Sequence, residues 1–422
     1  MLDDDSADDE TPGMSTSMQQ RVLVSVSGPD TKGITATLTG IVADGGGVLV
    51  DIEQVVLSGQ LTLCLVISVP RARTGPGTGV LKELLFATKE LGLECDFKVL
   101  NEQQTTTPVA PRRSFAVNVI GDVVDASCVH ALTSCLAAHD ANIDEIRRLS
   151  DGDLSSLEIV ISLANTGDGD VDKERLLQGA LVQIARAKDV DLAFQVEDLA
   201  RHTKRLVVFD MDSTLIRIEV IDELARAHGV YDEVAALTAS AMAGAMPYEE
   251  SLKLRVHKLA GLPVAVVQKL VADLPLTDGA EDLLRVLRAL GFKTALISGG
   301  FSLAAESLRV RLGLDYAYSN VLEVKDGKLT GKVNEPIVGP QRKADLLDAL
   351  AQREGIPLEQ TIAIGDGAND LLMLEKAGLG IAFHAKAKLR DAADTSVSRG
   401  GIDRVLYLLG LHASDVRAFL GR

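Results

Sequence analysis

Hydrophobic and polar positions change their rhythm three times along the 422 residues. Val22 to Val26 alternate as in a strand, and a polar turn follows at Gly28-Pro29-Asp30-Thr31-Lys32-Gly33. From Ile34 to Ala43 apolar residues recur at helical spacing. Val48 to Leu57 and Leu61 to Val69 read as two strands around Ser58-Gly59-Gln60, followed by a helix near Val80 to Leu91 and a strand near Cys95 to Leu100. The order is βαββαβ, an α+β sheet with helices on one face. Asn101 to Arg113 (NEQQTTTPVAPRR) is polar and carries two prolines, the composition of a linker. The same order then starts again, with strands at Phe115 to Ile120, Ala141 to Leu149, Ser156 to Leu163 and Asp191 to Glu197, and helices at Ala126 to Ala138 and Lys173 to Lys188. Aligning Gly121 on Gly28 sets the repeat offset at 93 residues, so the first half carries an internal duplication.

From Lys204 the strands become short and largely apolar, at Arg205 to Phe209, Phe292 to Ile297 and Thr361 to Ile364, each ending at a polar turn. Such strands belong to a doubly wound parallel α/β sheet, whose ligands bind at the carboxyl ends of the strands. Val220 to Val271 is mostly helical and long enough to cap those ends, and Asp326-Gly327 marks a hairpin within Val321 to Val333. The expected organisation is an acidic disordered tail over 1–18, a first α+β domain over 19–100, a linker over 101–113, a second α+β domain over 114–199, and an α/β domain over 204–422 with a helical cap at about 217–275.

Composition narrows the function classes. With 46% hydrophobic residues the chain can bury sizeable cores, and 43 basic against 60 acidic residues leave a formal charge of −17. That field repels nucleic-acid backbones and anionic lipid surfaces, so neither is an expected partner. No secretory leader and no apolar run of 18 residues is evident, and a cytoplasmic location is expected. Cys64, Cys95, Cys128 and Cys135 lack metal-site spacing; the last two, seven apart on a predicted helix, read as small apolar filling.

Chemistry concentrates at four strand or helix ends of the last domain. Asp210-Met211-Asp212-Ser213-Thr214 puts two carboxylates just past a buried strand. Taken alone it reads equally as an acidic turn with a helix cap. Ser298-Gly299-Gly300 offers a hydroxyl and unhindered amides for an anion, or simply a helix start. Lys343 opens a helix within Pro340-Gln341-Arg342-Lys343, where a lone lysine is more often solvated. Gly365-Asp366-Gly367-Ala368-Asn369-Asp370 adds two carboxylates and a carboxamide on a permissive turn, alone a structural turn as readily as a site. Together, carboxylates without His or Cys suit a hard cation such as Mg²⁺. A cation, a lysine, a hydroxyl and amides beside a free carboxylate equip a site for phosphoryl transfer.

These four motifs resemble those of the haloacid dehalogenase superfamily and, within it, the phosphoserine phosphatases; the βαββαβ duplicates resemble ACT domains, which bind amino acids. The resemblance covers the chain from about 204 to its end and implies hydrolysis of O-phospho-L-serine, the last step of serine biosynthesis. Asp210 would be the nucleophile that forms an aspartyl-phosphate, and Asp212 the acid and then the base. Mg²⁺ would sit on Asp210, Asp366 and the backbone carbonyl of Asp212, supported by Asp370. Ser298, Gly299 and Lys343 would hold the phosphoryl oxygens, with Asn369 framing them. Glu219 and Arg255 would read the ammonium and carboxylate of a zwitterionic substrate, although outside the motif frame they are an ordinary surface ion pair. Met242 in the cap would cover the site or pack the core.

In the first duplicate Asp30 and Gly33 lie where ACT domains take an amino acid, which makes L-serine an expected effector. The second duplicate puts Val123 and Ala126 at those places and departs from the pattern. Both duplicates serving only dimerisation is the plainer reading, and a homodimer is expected. The rival functions are a broader small-molecule or phosphoprotein phosphatase, a phosphotransferase, and an inactive amino-acid sensor.

Overall fold

The computed structural model describes residues 19–70, 76–100, 112–151, 155–164, 170–242, 246–385, 387–390, 393 and 395–422. The acidic tail and all of the expected linker but Arg112 and Arg113 lie outside those residues, as does the side chain of Met242. The chain divides into two compact units, 1–109 and 110–422.

In the first unit β1 (Gln19–Pro29), α1 (Ile34–Asp44), β2 (Val48–Leu57), β3 (Gln60–Pro70), α2 (Pro76–Glu90) and β4 (Glu94–Val99) form the expected βαββαβ. The sheet order is β2-β3-β1-β4, antiparallel throughout. Alternation decides the core: Val22, Val24 and Val26 of β1 and Leu61, Leu63 and Leu65 of β3 face Ile34, Leu38 and Val42 of α1 and Val80 and Leu84 of α2.

The second unit starts with the duplicate: β5 (Arg112–Ile120), α3 (Ala126–Ala138), β6 (Asn142–Arg148), β7 (Ser156–Ala164), α4 (Asp170–Lys188) and β8 (Asp191–Val196). Cys128 and Cys135 pack on the inner face of α3, as small apolar filling does. A short helix α5 (Leu199–His202) leads to β9 (Leu206–Phe209). Four cap helices follow: α6 (Val220–His228), α7 (Tyr231–Met242), α8 (Tyr248–Lys258) and α9 (Val264–Val271). Next come α10 (Ala280–Ala289), β10 (Lys293–Phe301), α11 (Ser302–Leu312), β11 (Tyr316–Asn320) and the hairpin of β12 (Leu322–Lys325) and β13 (Lys328–Val333). The chain closes with α12 (Pro340–Glu354), β14 (Thr361–Gly365), α13 (Leu371–Lys376), β15 (Gly380–Phe383), α14 (Ala387–Arg390), β16 (Thr395–Val397), α15 (Val405–Leu408) and α16 (Ala413–Leu420).

Strands β11-β10-β9-β14-β15-β16 are parallel neighbours in that order. Val207, Phe209, Leu296, Ile362 and Ile364 face the core shared with the cap residues Leu224, Val234, Leu252 and Val256. Leu206, Val208, Ala295, Ile297 and Ala363 face the opposite helix layer. Burial on both faces is why these strands read as mostly apolar runs rather than as alternating ones.

The duplicate does not stand apart from this sheet. Ala193 of β8 pairs antiparallel with Thr395 of β16, so ten strands run from β11 to β6. The seam is polar: buried Asp191 accepts from the Ser398 amide at 2.7 Å, and Thr395 Oγ1 donates to Leu192 O at 2.9 Å. Buried Glu158 pairs with buried Arg201 of α5 and accepts from Asn118 Nδ2 at 3.0 Å. Asn118 Nδ2 also donates to Tyr407 O. No helix among the described residues is long and apolar enough to cross a membrane.

Candidate active site

The carboxyl ends of β9, β10 and β14 and the start of α12 bring the four motifs to one place. β9 is wholly buried, and the Asp210 amide donates to Ile364 O of β14 at 2.8 Å, which fixes where the first carboxylate leaves the sheet. Lys343, in the first turn of α12, is wholly buried and reaches Asp210 Oδ1 at 2.8 Å and Asp370 Oδ1 at 2.6 Å. Burial alone would lower its pKa, but Asp210 and then Asp370 outweigh it and hold the ammonium charged. The solvated reading of Lys343 is thereby excluded.

Asp210, Asp366 and Asp370 present carboxylate oxygens within 4.8 Å of one another. Burial first, then the charges of Asp210 and Asp370, push Asp366 up to about 8. Burial and Asp210 push Asp370 up to about 6. The cluster holds more negative charge than one lysine balances, and its donors are all oxygen. That set fits a hard divalent cation such as Mg²⁺. Asp370, expected behind the cation, offers an oxygen to the same cluster, and its Oδ2 accepts from the Gly367 amide at 3.0 Å. Thr214, buried one turn past β9, donates to Asp366 Oδ1 at 3.2 Å. Gly365 is forced by packing: a Cβ there would stand 2.5 Å from Asp370 Cγ.

Asp212 points away from that cluster, toward the cap. Its Oδ1 accepts from the Val220 amide at the start of α6, at 3.1 Å, and its Oδ2 lies against Gly300. Burial, then Glu219 and Asp210, raise its pKa well above the ordinary carboxylate range, which favours the protonated form. Ser213 adopts a left-handed φ of 57° and donates to Glu219 Oε1 at 2.9 Å. Glu219 is exposed as a residue; the surrounding protein and the charge of Asp210 raise its carboxyl, and the Ser213 hydrogen bond and then Arg255 of α8 oppose that rise. Among the described residues Arg255 Nε bonds only its own helix, to Ser251 O at 3.4 Å.

The Ser298-Gly299-Gly300 segment is the end of β10 rather than a helix start; α11 begins at Ser302. Ser298 is buried, and its Oγ accepts from the Gly300 amide at 2.9 Å. Asn369 lies on the turn beside Asp370, with Oδ1 packed on Gly367. Two further residues join the site that the motifs do not reveal. Buried Asn320, at the end of β11, donates to Gly299 O at 2.8 Å and accepts from the Val338 amide at 2.8 Å, tying the β10 end to the loop before α12. Tyr248, the first residue of α8, lays its hydroxyl 3.5 Å from Gly299 O.

The two expected regulatory residues sit far more openly. Asp30 and Gly33 are exposed on the loop from β1 to α1, where Gly33 is the N-cap at φ 96° with no side-chain cap on the helix. In the duplicate, the Asp125 side chain fills the matching place by accepting from the Cys128 amide at 2.7 Å.

Residues 204–378 match the family of haloacid dehalogenase-like hydrolases, and residues 20–98 and 113–195 each match an ACT domain. A phosphoserine phosphatase of Mycobacterium tuberculosis is 41% identical over 94% of this chain and 95% of its own length. One from Streptomyces coelicolor is 41% identical over 96% and 95%. Among solved structures, a haloacid dehalogenase family hydrolase from Salmonella enterica serovar Typhi matches with a TM-score of 0.59 at 31% identity, over 70% of this chain and 98% of that one. A probable phosphoserine phosphatase from Vibrio cholerae matches with 0.55 at 35% identity, over 73% and 88%. The chain belongs to the phosphoserine phosphatase family, as a haloacid dehalogenase-like hydrolase preceded by two ACT domains.

Proposed function

We propose that this phosphatase hydrolyses O-phospho-L-serine to L-serine and phosphate through a phosphorylated Asp210, with Mg²⁺ held by Asp210, Asp366 and the Asp212 backbone carbonyl. The observation that carries the reading is the division of labour between two neighbouring carboxylates: Asp210 paired with Lys343 at 2.8 Å, and Asp212 held apart by the Val220 amide with its proton favoured. A bound Mg²⁺ supplies charge neutralisation for the phosphoryl oxygens.

In the first step an Asp210 oxygen bonds to phosphorus as the ester bond to the serine oxygen breaks, and Asp212 gives that oxygen its proton. In the second, water bonds to phosphorus, Asp212 takes the water's proton, and the acyl-phosphate bond breaks to restore Asp210. Ser298, the Gly299 amide and Lys343 hold the phosphoryl oxygens, with Asn369 beside them and Asp370 keeping Lys343 in place. Glu219 and Arg255 approach from the cap and suit an ammonium and a carboxylate. Arg255→Ala should therefore raise KM for O-phospho-L-serine by roughly tenfold or more, with little change for an alkyl phosphate; equal losses on both substrates would remove Arg255 from substrate recognition.

L-serine is proposed as effector at Asp30 and Gly33. The uncapped N-terminus of α1 leaves backbone amides for a carboxylate, whereas Asp125 occupies that place in the duplicate. The domain limits are proposed as 19–100, 114–199 and 204–422, in a cytoplasmic homodimer.

A further inference from the structure

The proposed phosphoryl cradle is built from one side. Ser298, Gly299 and Lys343 all belong to the sheet domain, at the ends of β10 and the start of α12. The cap meets that cradle through Tyr248. Its hydroxyl rests on Gly299 so closely that a Cβ there would lie 2.0 Å from the oxygen. Its ring edge rests on Gly339, where a Cβ would lie 3.3 Å from Cδ1, and Gly339 is the N-cap of the helix that carries Lys343. One cap side chain thus touches both loops that hold phosphoryl oxygens.

The hydroxyl is also poorly engaged as a donor. Its one acceptor among the described residues is Gly299 O at 3.5 Å, and that carbonyl already receives the Asn320 amide group at 2.8 Å. At 3.5 Å the phenol gains little, so its proton is free to turn to a better acceptor. Burial keeps the phenol protonated by pushing it up to about 12, and the charges of Lys343, Arg255, Asp210 and Asp212 all reach it. A group on the Gly299 end of the cradle, neutral and carrying a spare proton, suits a phosphoryl oxygen, which accepts more strongly than a backbone carbonyl.

We infer that Tyr248 is a substrate-positioning residue supplied by the cap, whose phenolic O–H donates to a phosphoryl oxygen seated on the Ser298–Gly299 cradle. The inference rests on the phosphatase reading of the site but not on which alcohol the phosphate esterifies. Tyr248→Phe keeps the ring on Gly339 and removes only the donor. In the Mg²⁺-loaded full-length protein, binding of inorganic phosphate by calorimetry should weaken about tenfold, the scale of one hydrogen bond to a charged group. KM for O-phospho-L-serine and for an alkyl phosphate should rise by the same factor, while competitive inhibition by L-serine stays unchanged. Unaltered phosphate affinity would overturn the assignment, and so would a loss confined to L-serine, which would place the hydroxyl on the amino-acid end instead. Arg255→Ala serves as the converse control, since it should move L-serine and leave inorganic phosphate alone. If Arg255→Ala fails to discriminate, the choice of substrate falls while the phosphate result for Tyr248 stands.

Discussion

Lys343 shows how one residue sets the character of the site. An ammonium removed entirely from water is tolerable only beside opposite charge, and Asp210 and Asp370 supply it at 2.8 and 2.6 Å. Lys343→Met should leave those carboxylates buried and unbalanced, costing about 3–5 kcal/mol of stability in Mg²⁺-free buffer by denaturant titration. A variant as stable as the parent would show that the pair is worth no more than a surface contact. Asp210, Asp212, Lys343, Asp366 and Asp370 were legible in the sequence because four motifs in order constrain one another. Asn320 and Tyr248 were not. Asn320 reaches Gly299 because β11 lies beside β10 with a register shift that sets Phe301 opposite Asn320, a pairing that no local pattern encodes. Tyr248 follows Pro247 like any helix-opening residue, and its meaning comes from the loops beneath it.

Among the elements, the two duplicated helices carry the clearest contrast. α1 starts at Gly33 with free amides, and α3 starts at Asp125 with its own carboxylate in place. L-serine should therefore bind the first ACT domain at Asp30 and Gly33 and not the second. Calorimetry on the full chain should lose one class of L-serine sites in Asp30→Ala while binding at the active site remains; identical isotherms for the two proteins would refute the regulatory site. Strong periodicity made the helices and long strands of both duplicates readable to within a few residues. The short strands β11, β15 and β16 have no clear sequence signal, since three to five residues such as Tyr316–Asn320 or Thr395–Val397 carry too little pattern to separate from loop. β10 also runs past Ile297 to Phe301, because pairing with β11 outlasts the apolar run.

At the scale of the molecule, the second ACT domain is built into the catalytic unit. The 93-residue repeat was visible in the sequence, but the junction was not, because Ala193 and Thr395 meet only through the folded chain. The repeat itself marks the difference: Ser25 pairs with Cys64 in the first copy, while Asn118 and Glu158 hold the same register in the second. Glu158 binds Arg201 there, inside the seam. Burial alone would raise Glu158, but Arg201, Asn118 and Arg147 outweigh it and hold the carboxyl below its usual range. A depressed carboxyl stabilises above its unfolded pKa, and that contribution is lost as pH falls through the folded value. Glu158→Gln should then be less stable than the parent by about 3–5 kcal/mol near neutral pH, read from thermal unfolding across pH, with the gap closing as pH falls below about 4.5. A gap that stays constant with pH would mean that Glu158 acts by shape and not by charge.

The proposed reaction is tested by phosphate release from O-phospho-L-serine, O-phospho-L-threonine and a plain alkyl phosphate, with Mg²⁺ and with EDTA. The account predicts kcat/KM highest for O-phospho-L-serine by at least about tenfold, as expected when the cap reads both charges of a zwitterion, and no turnover in EDTA. Even activity across the three substrates, or turnover that survives EDTA, would contradict it.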